Sequence, residues 1–479
     1  MSETAASRAS TVTGSERFGV SALYVIVTLS GTAGLGYQMA WTRMLSTSLG
    51  HEFAAVLAVV AAFFVGLALG GLLLNRAIRN AARPARWYVV LELIIGLWAL
   101  LLILVLPYFN QWTAVWIGTE PGPVWHWCAA FSAALLALLP ATIAMGATLP
   151  AIERVVRSRH GGETKVAGLY AANTAGALLG TLIATYALLP ALGLNATLLM
   201  FAMINLGIAA MVWVGASKQD VTVPAVQSLA LPGRRLLSVL FLTGLLGLGY
   251  EVLVVRVLSQ ALEGTVYTFA AVLAVYLLGT ACGAAWYQSS VSRSADRWAQ
   301  VSNRLLIATG VSCLLGSAAL LSAEVVYATV LAALGPGNLS GMLAELSVAG
   351  MVFLIPTLCM GALFSHLAQH AIGQTGLGAA MGINTLGAAL APVIFGVLLL
   401  PAIGARSALV LITVAYLLLP LATNTQATSR RTNLLLAGAA STLLFLPLPL
   451  RFISVPAGSE VMVFEEGVVA AVAVVQEPD

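Results

Sequence analysis

From residue 18 onward, apolar residues arrive in blocks of roughly 20, the length needed for a helix to cross about 30 Å of hydrocarbon. Thirteen such blocks predict membrane-spanning helices: 18–41, 52–74, 87–109, 124–149, 167–190, 192–215, 236–258, 266–287, 305–333, 342–366, 378–401, 404–424 and 432–450. The pattern changes only at the ends. Residues 1–17 are polar and predict a disordered cytoplasmic tail, and the apolar run behind them is too long and too uncharged for a cleaved signal peptide. The final stretch, SEVMVFEEGVVAAVAVVQEPD, predicts short β-strands around Glu465, Glu466 and Gly467.

The blocks then repeat. LSGTAGLGYQMAWTR, ending at Arg43, returns as LTGLLGLGYEVLVVR, ending at Arg256. Gly66-x-Ala68-x-Gly70 returns as Gly279-x-Ala281-x-Gly283, PATIAMGA (140–147) as PTLCMGA (356–362), and NTAGALLG (173–180) as NTLGAALA (384–391). Pro190-x-x-Gly193 returns as Pro401-x-x-Gly404. Six spans per copy is an even number, so both copies sit the same way up, a plan used by transporters built from parallel repeats. The expected fold is an all-α polytopic membrane protein of two parallel six-helix repeats, 18–215 and 236–424, joined by a cytoplasmic linker at 216–235. A linker and thirteenth span (425–450) and the β-type tail (451–479) follow.

Composition agrees with this class: 60% of residues are hydrophobic and 8% charged, against about 25% charged in a soluble domain. Charge also sets the direction. With the N-terminus inside, the inner connections collect Arg76, Arg79, Arg83, Arg86, Arg154, Arg157, Arg234 and Arg235 among others, and the outer ones keep only Arg43, Arg256, Arg406 and Arg451. The positive-inside rule therefore predicts a multi-pass protein of the cell (inner) membrane with a cytoplasmic N-terminus. The net charge of +4 reflects these arginines, and the partner it implies is the bilayer, not nucleic acid.

Polar residues inside the blocks are the candidates for chemistry, because an ionisable group at a span's centre costs about 2.5–3.5 kcal/mol without a partner or water. Glu251 lies near the outer end of its span, where the first copy has Gln38. It is read either as a cation-binding or proton-linked carboxylate or as an interfacial one paired with Arg43 or Arg256. Five residues along a helix turn a side chain by roughly 140°, so any pairing with Arg256 must run between helices. Arg43 and Arg256 are expected at the outer headgroup level, with Trp41 as a belt residue. Glu92 and Glu345 fall close enough to span edges to reach water.

The segments around Met145-Gly146 and Met360-Gly361 follow prolines inside spans, and Gly/Pro-interrupted segments at matching places in two halves point to a transport site. Asn173 and Asn384 introduce small-residue spacings, read as interhelical glue or as a polar pocket lining. The candidate substrate-binding set is therefore Tyr37, Gln38, Arg43, Tyr250, Glu251 and Arg256 in the outer half, and Met145, Gly146, Asn173, Met360, Gly361 and Asn384 in the inner half. No metal or cofactor is expected on this chain. Cys128, Cys282, Cys313 and Cys359 are read as small core residues, and His366 and His370 share a helix face without a third ligand nearby. The sequence has no G-x-S-x-G, H-E-x-x-H or P-loop, and its glycine pairs open no βαβ unit.

The doubled series Tyr-(Glu/Gln)-x4-Arg, Gly-x-Ala-x-Gly, Met-Gly-Ala and Asn-Thr-x-Gly-Ala resembles the membrane part of the bacterial fused MFS/spermidine synthase proteins. GLLLNRAIR (71–79) also resembles the loop motif of major facilitator transporters, with Asn75 in place of its Asp and Ile78 in place of a Gly. The first resemblance implies a soluble synthase-like domain after the membrane part, with an Asp-x-Gly-Gly-x-Gly loop for an S-adenosyl cofactor. This chain lacks that loop, and its tail is similar to the opening hairpin of such a domain. Three functions are open on these residues: a non-catalytic membrane module of a spermidine-synthase-like system, working with a separate S-adenosyl-dependent partner; a secondary transporter of a small amine or related metabolite; and an aminopropyl- or methyl-transferase whose catalytic domain lies elsewhere.

Overall fold

The structure is a computed structural model that describes residues 20–49, 52–159, 166–217, 234–262, 266–291, 298–335, 337–375, 377–423, 427–442, 460–467 and 471–476. The predicted N-terminal tail, nearly all of the 216–235 linker and the end of the last predicted span lie outside these residues.

The first repeat contains α1 (Val20–Leu49), α2 (Glu52–Leu73), the short α3 (Asn75–Arg79), α4 (Pro84–Ile117), α5 (Pro123–Arg159), α6 (Val166–Ile183) and α7 (Leu189–Ser217). The second contains α8 (Arg234–Ala261), α9 (Val266–Trp286), α10 (Trp298–Ala319), α11 (Ala323–Leu334), α12 (Asn338–Thr375), α13 (Leu377–Ala391) and α14 (Leu400–Leu418). Then come α15 (Ala427–Thr442), β1 (Glu460–Glu466) and β2 (Ala471–Gln476). Nine described stretches are long and apolar enough to cross a membrane. Two of these, Gly168–Gly215 and Leu377–Leu421, are double crossings, each broken at a glycine with non-helical backbone, Gly193 (φ 77°) and Gly404 (φ 75°). With α1, the described residues hold twelve crossings. α15 has 16 described residues, short of the about 20 that a span needs.

The two repeats pack alike. α1 lies on α6 as α8 lies on α13, α2 on α5 as α9 on α12, and α4 on α7 as α10 on α14. Small residues make the seams. A Cβ added to Gly70 would overlap the Ile143 carbonyl, and one on Gly283 the Leu358 carbonyl. Gly146 meets the Leu67 backbone in the same way that Gly361 meets Thr280. Gly31 abuts Asn173, and Gly244 abuts Asn384. Such close approach is how helices associate in lipid, where no hydrophobic force drives them together. The positive-φ glycines follow the repeat too, Gly118 with Gly335 and Gly193 with Gly404. The halves join crosswise, α2 against α13 and α6 against α9.

Three sequence expectations change. The prolines do not interrupt their helices: α5 runs through Pro140 and Pro150, and α12 through Pro356. The Val352 carbonyl, four residues before Pro356, instead accepts the Tyr250 hydroxyl at 3.3 Å, as a buried orphan acceptor must. Irregular winding appears instead as π-helical segments at Ala184–Leu188 and Pro392–Leu399, matching places in the two copies, and at Tyr287–Val291. Trp41 is not a belt residue. It is fully buried and stacks on Tyr37 with ring centroids 4.9 Å apart. Of the cysteines, Cys313 is buried, but Cys128 and Cys282 are exposed on helix faces.

The predicted tail strands form an antiparallel hairpin of β1 and β2. Arg256, five residues before the end of α8, donates to the Gly467 carbonyl at 3.2 Å. The hairpin thus sits at the face of the bundle where α8 ends, opposite the face where it begins.

Candidate functional site

A cavity of about 110 Å³ lies between the repeats. Ser30, Gly31 and Gly34 of α1, Phe63 and Leu67 of α2, Ile95 of α4 and Asn205 of α7 line it from the first repeat. Met145, Gly146, Thr148 and Leu149 of α5 and Asn173 of α6 add to the same side. Met381 and Thr385 of α13 close it from the second repeat. Gly34 keeps it open, since nothing stands within 4 Å of where its Cβ would be.

Behind the cavity wall runs a buried polar chain. Tyr37 Oη donates to Asn205 Oδ1 at 2.8 Å, and Asn205 Nδ2 donates to Glu92 Oε2 at 2.6 Å. Ser30 Oγ donates to the other Glu92 oxygen at 2.7 Å. α1, α4 and α7 are thereby tied through one carboxyl group. Glu92 was expected within reach of water, but it has no exposed surface. Its position near a span edge misled because Ser30 of α1 and Asn205 of α7 close over the carboxyl group. Sequence reasoning also missed Asn205, a single amide in an apolar run, whose only signal is that a buried amide in lipid needs partners.

Of the twelve candidate residues, Met145, Gly146 and Asn173 line this cavity. Asn384 does not, and it donates through Nδ2 to the Leu240 carbonyl at 2.8 Å, fastening α13 to α8. Its neighbour Thr385 takes the lining place. Gly361 is a packing contact with Thr280, and Tyr37 and Tyr250 are buried in their own repeats. Gln38 and Glu251 occupy matching places, 2% and 4% exposed. Arg43 is exposed and Arg256 is buried, its guanidinium 5.7 Å from the centre of the Phe53 ring. Arg256 is therefore not a headgroup residue. No ion pair joins Glu251 to either arginine among the described residues. The cross-repeat polar contact falls elsewhere: Tyr186 Oη, in the π-helical end of α6, donates to the Tyr267 carbonyl of α9 at 3.1 Å. Tyr186 also reaches Glu345 Oε2 at 3.5 Å, and Thr268 Oγ1 donates to Glu345 Oε1 at 3.0 Å. His366 has both ring nitrogens engaged, Nδ1 by Tyr287 at 3.0 Å and Nε2 by Ser302 at 2.9 Å.

No protein-family model matches the chain, and no curated protein matches it in sequence. Solved structures do match. A bacterial homologue of the iron transporter ferroportin, in an outward-facing state, superposes with a TM-score of 0.55 at 15% identity, covering 84% of this chain and 97% of that one. The human organic anion transporter MFSD10 gives 0.50 at 14% identity, covering 84% and 98%. These neighbours overturn the resemblance to fused spermidine synthases and, with it, the synthase-module reading. The physical reason is visible in the motifs. Gly-x-Ala-x-Gly, Met-Gly-Ala and Asn-Thr-x-Gly supply the close seams between helices, so they mark a way of packing and carry no aminopropyl-transfer chemistry. What the chain shares with these two transporters is the fold.

Proposed function

We propose that the chain is a secondary transporter working by alternating access, lying in the cell membrane with its N-terminus in the cytoplasm. The observation that carries this is the cavity between the repeats, lined by α1, α5 and α6 from one half and by α13 from the other. A solute held there is touched by both halves, so rocking one against the other changes the side to which it is open. Ser30, Asn173, Asn205 and Thr385 offer neutral hydrogen-bonding groups, and the volume suits a small polar solute. The crosswise seams α2–α13 and α6–α9 are the surfaces along which the halves slide. The concentration of arginine at one end of the bundle supports the orientation.

The test is access to Gly34→Cys, in a chain whose own cysteines are replaced, reconstituted in proteoliposomes. Membrane-impermeant maleimide is applied from each side in turn. Labelling from both sides, with the balance moved by a transported solute, is the expected result. Labelling from one side only, under every solute tried, overturns the reading.

A further inference from the structure

Residues that line the cavity have counterparts in the second repeat, and there the set differs in one way. By the repeat register, Gly34 corresponds to Gly247, Phe63 to Tyr276, Met145 to Met360 and Asn205 to Tyr416. All four first-repeat members line the cavity. Their second-repeat counterparts also converge: a Cβ on Gly247 would stand 3.5 Å from Tyr416 Oη, 3.6 Å from Met360 Sδ and 3.7 Å from Tyr276 Oη. The same four positions therefore gather in both halves.

One helical turn beyond each glycine, on the same face, stand Gln38 and Glu251. A helical side chain leans back over the turn N-terminal to its own Cα, so Glu251 leans toward Gly247 and the side chains gathered around it. It is 4% exposed, and Tyr276 is within its electrostatic reach. No hydrogen bond or ion pair holds its carboxyl group among the described residues. The titratable groups around this cluster are Tyr250 of α8, Tyr276 of α9, Cys313 of α10, Cys359 of α12, Tyr416 of α14 and Tyr170 of α6, and none is a cation. Glu92 and Glu345, comparably buried, are bonded, the first by Ser30 and Asn205 and the second by Thr268. Glu251 has the burial without the partners. A buried carboxylate in that position requires a positive charge beside it.

We propose that Glu251, with Tyr276 Oη and Met360 Sδ gathered beside Gly247, is a monovalent-cation site, and that the cation bound there travels with the transport cycle. The shared chemistry is one positive charge against one carboxylate, supplied by a proton, an alkali ion or the ammonium head of a solute. Gln38 makes the first-repeat position neutral, so the stoichiometry is one charge per chain. The inference rests on the transport reading, but its test does not.

The detergent-purified chain is melted in sodium, potassium, ammonium and methylammonium chloride, with N-methylglucamine as the control salt, at pH 6 and pH 8.5. Wild type is compared with Glu251→Gln and Glu251→Asp. A saturable rise in melting temperature with one of these cations, or a pH-dependent melting point, is expected in wild type. In Glu251→Gln that response should vanish or need at least tenfold more cation. Sodium or potassium would name an alkali ion, ammonium or methylammonium a solute head group, and pH alone a proton. If Glu251→Gln does not fold, Glu251→Asp, which withdraws the carboxylate by one methylene, must move the half-saturation point. Equal responses in wild type and the variants, in every salt and at both pH values, overturn the site. The Gly34→Cys labelling needs no cation. Two-sided labelling with no Glu251-dependent response removes the site alone, and one-sided labelling removes the transport reading.

Discussion

Asn205 is the place where a single side chain ties three helices, and its removal should show that. Asn205→Leu keeps the volume roughly and deletes two hydrogen bonds, one from Tyr37 at 2.8 Å and one to Glu92 at 2.6 Å. In water-soluble proteins a neutral bond contributes about 0.5–1.5 kcal/mol and one to a charged group about 1.5–3. Inside a membrane the measured mean is about 0.6 and the maximum about 1.7 per bond, because the unfolded helices find other partners. The membrane figures decide here, and two bonds at the strong end give a loss of about 1–3 kcal/mol. The matching change in the second repeat, Tyr416→Phe, removes one bond of 3.2 Å to the Thr243 carbonyl, so its cost should be clearly smaller. The assay is reversible unfolding in mixed micelles, run as a double-mutant cycle of Asn205→Leu with Tyr37→Phe. A coupling energy of about 0.6–1.7 kcal/mol is expected. Additivity within about 0.3–0.5 kcal/mol, the scatter of independent sites, would refute the network.

Gly193→Ala and Gly404→Ala should each cost about 1–3 kcal/mol in the same assay, because φ near 77° and 75° with an extended ψ is a region that only glycine enters freely. Gly146→Val should abolish a monodisperse gel-filtration peak, since even a Cβ there meets the Leu67 backbone, whereas Gly207→Ala, with open space around it, should leave the peak unchanged. Arg256→Ala should speed amide exchange in Glu460–Glu466 by releasing the Gly467 carbonyl, and Arg43→Ala, an exposed residue, should leave the hairpin's protection as it was.

How much of this was legible in the sequence follows from what duplication preserves. The helices and their doubling were readable because apolar length and small-residue spacing are what lipid demands of any span. The tail hairpin was readable from its alternation, but its docking on Arg256 was not, since that contact joins positions 211 residues apart. The pairing of Glu251 with an arginine failed for a similar reason: helix periodicity tells which face a residue occupies, never which neighbour comes to meet it. Glu92 shows this in reverse, hidden by partners on two other helices that no local pattern announces. The spermidine-synthase resemblance failed because it rested on the seams. Seams are kept in both copies since each helix pair must close at the same distance, so they report architecture and nothing finer. Chemistry has to be sought where the copies disagree: Gln38 against Glu251, Phe63 against Tyr276, Asn205 against Tyr416. At those positions packing permits either residue, so the difference between the halves answers to whatever occupies the space between them.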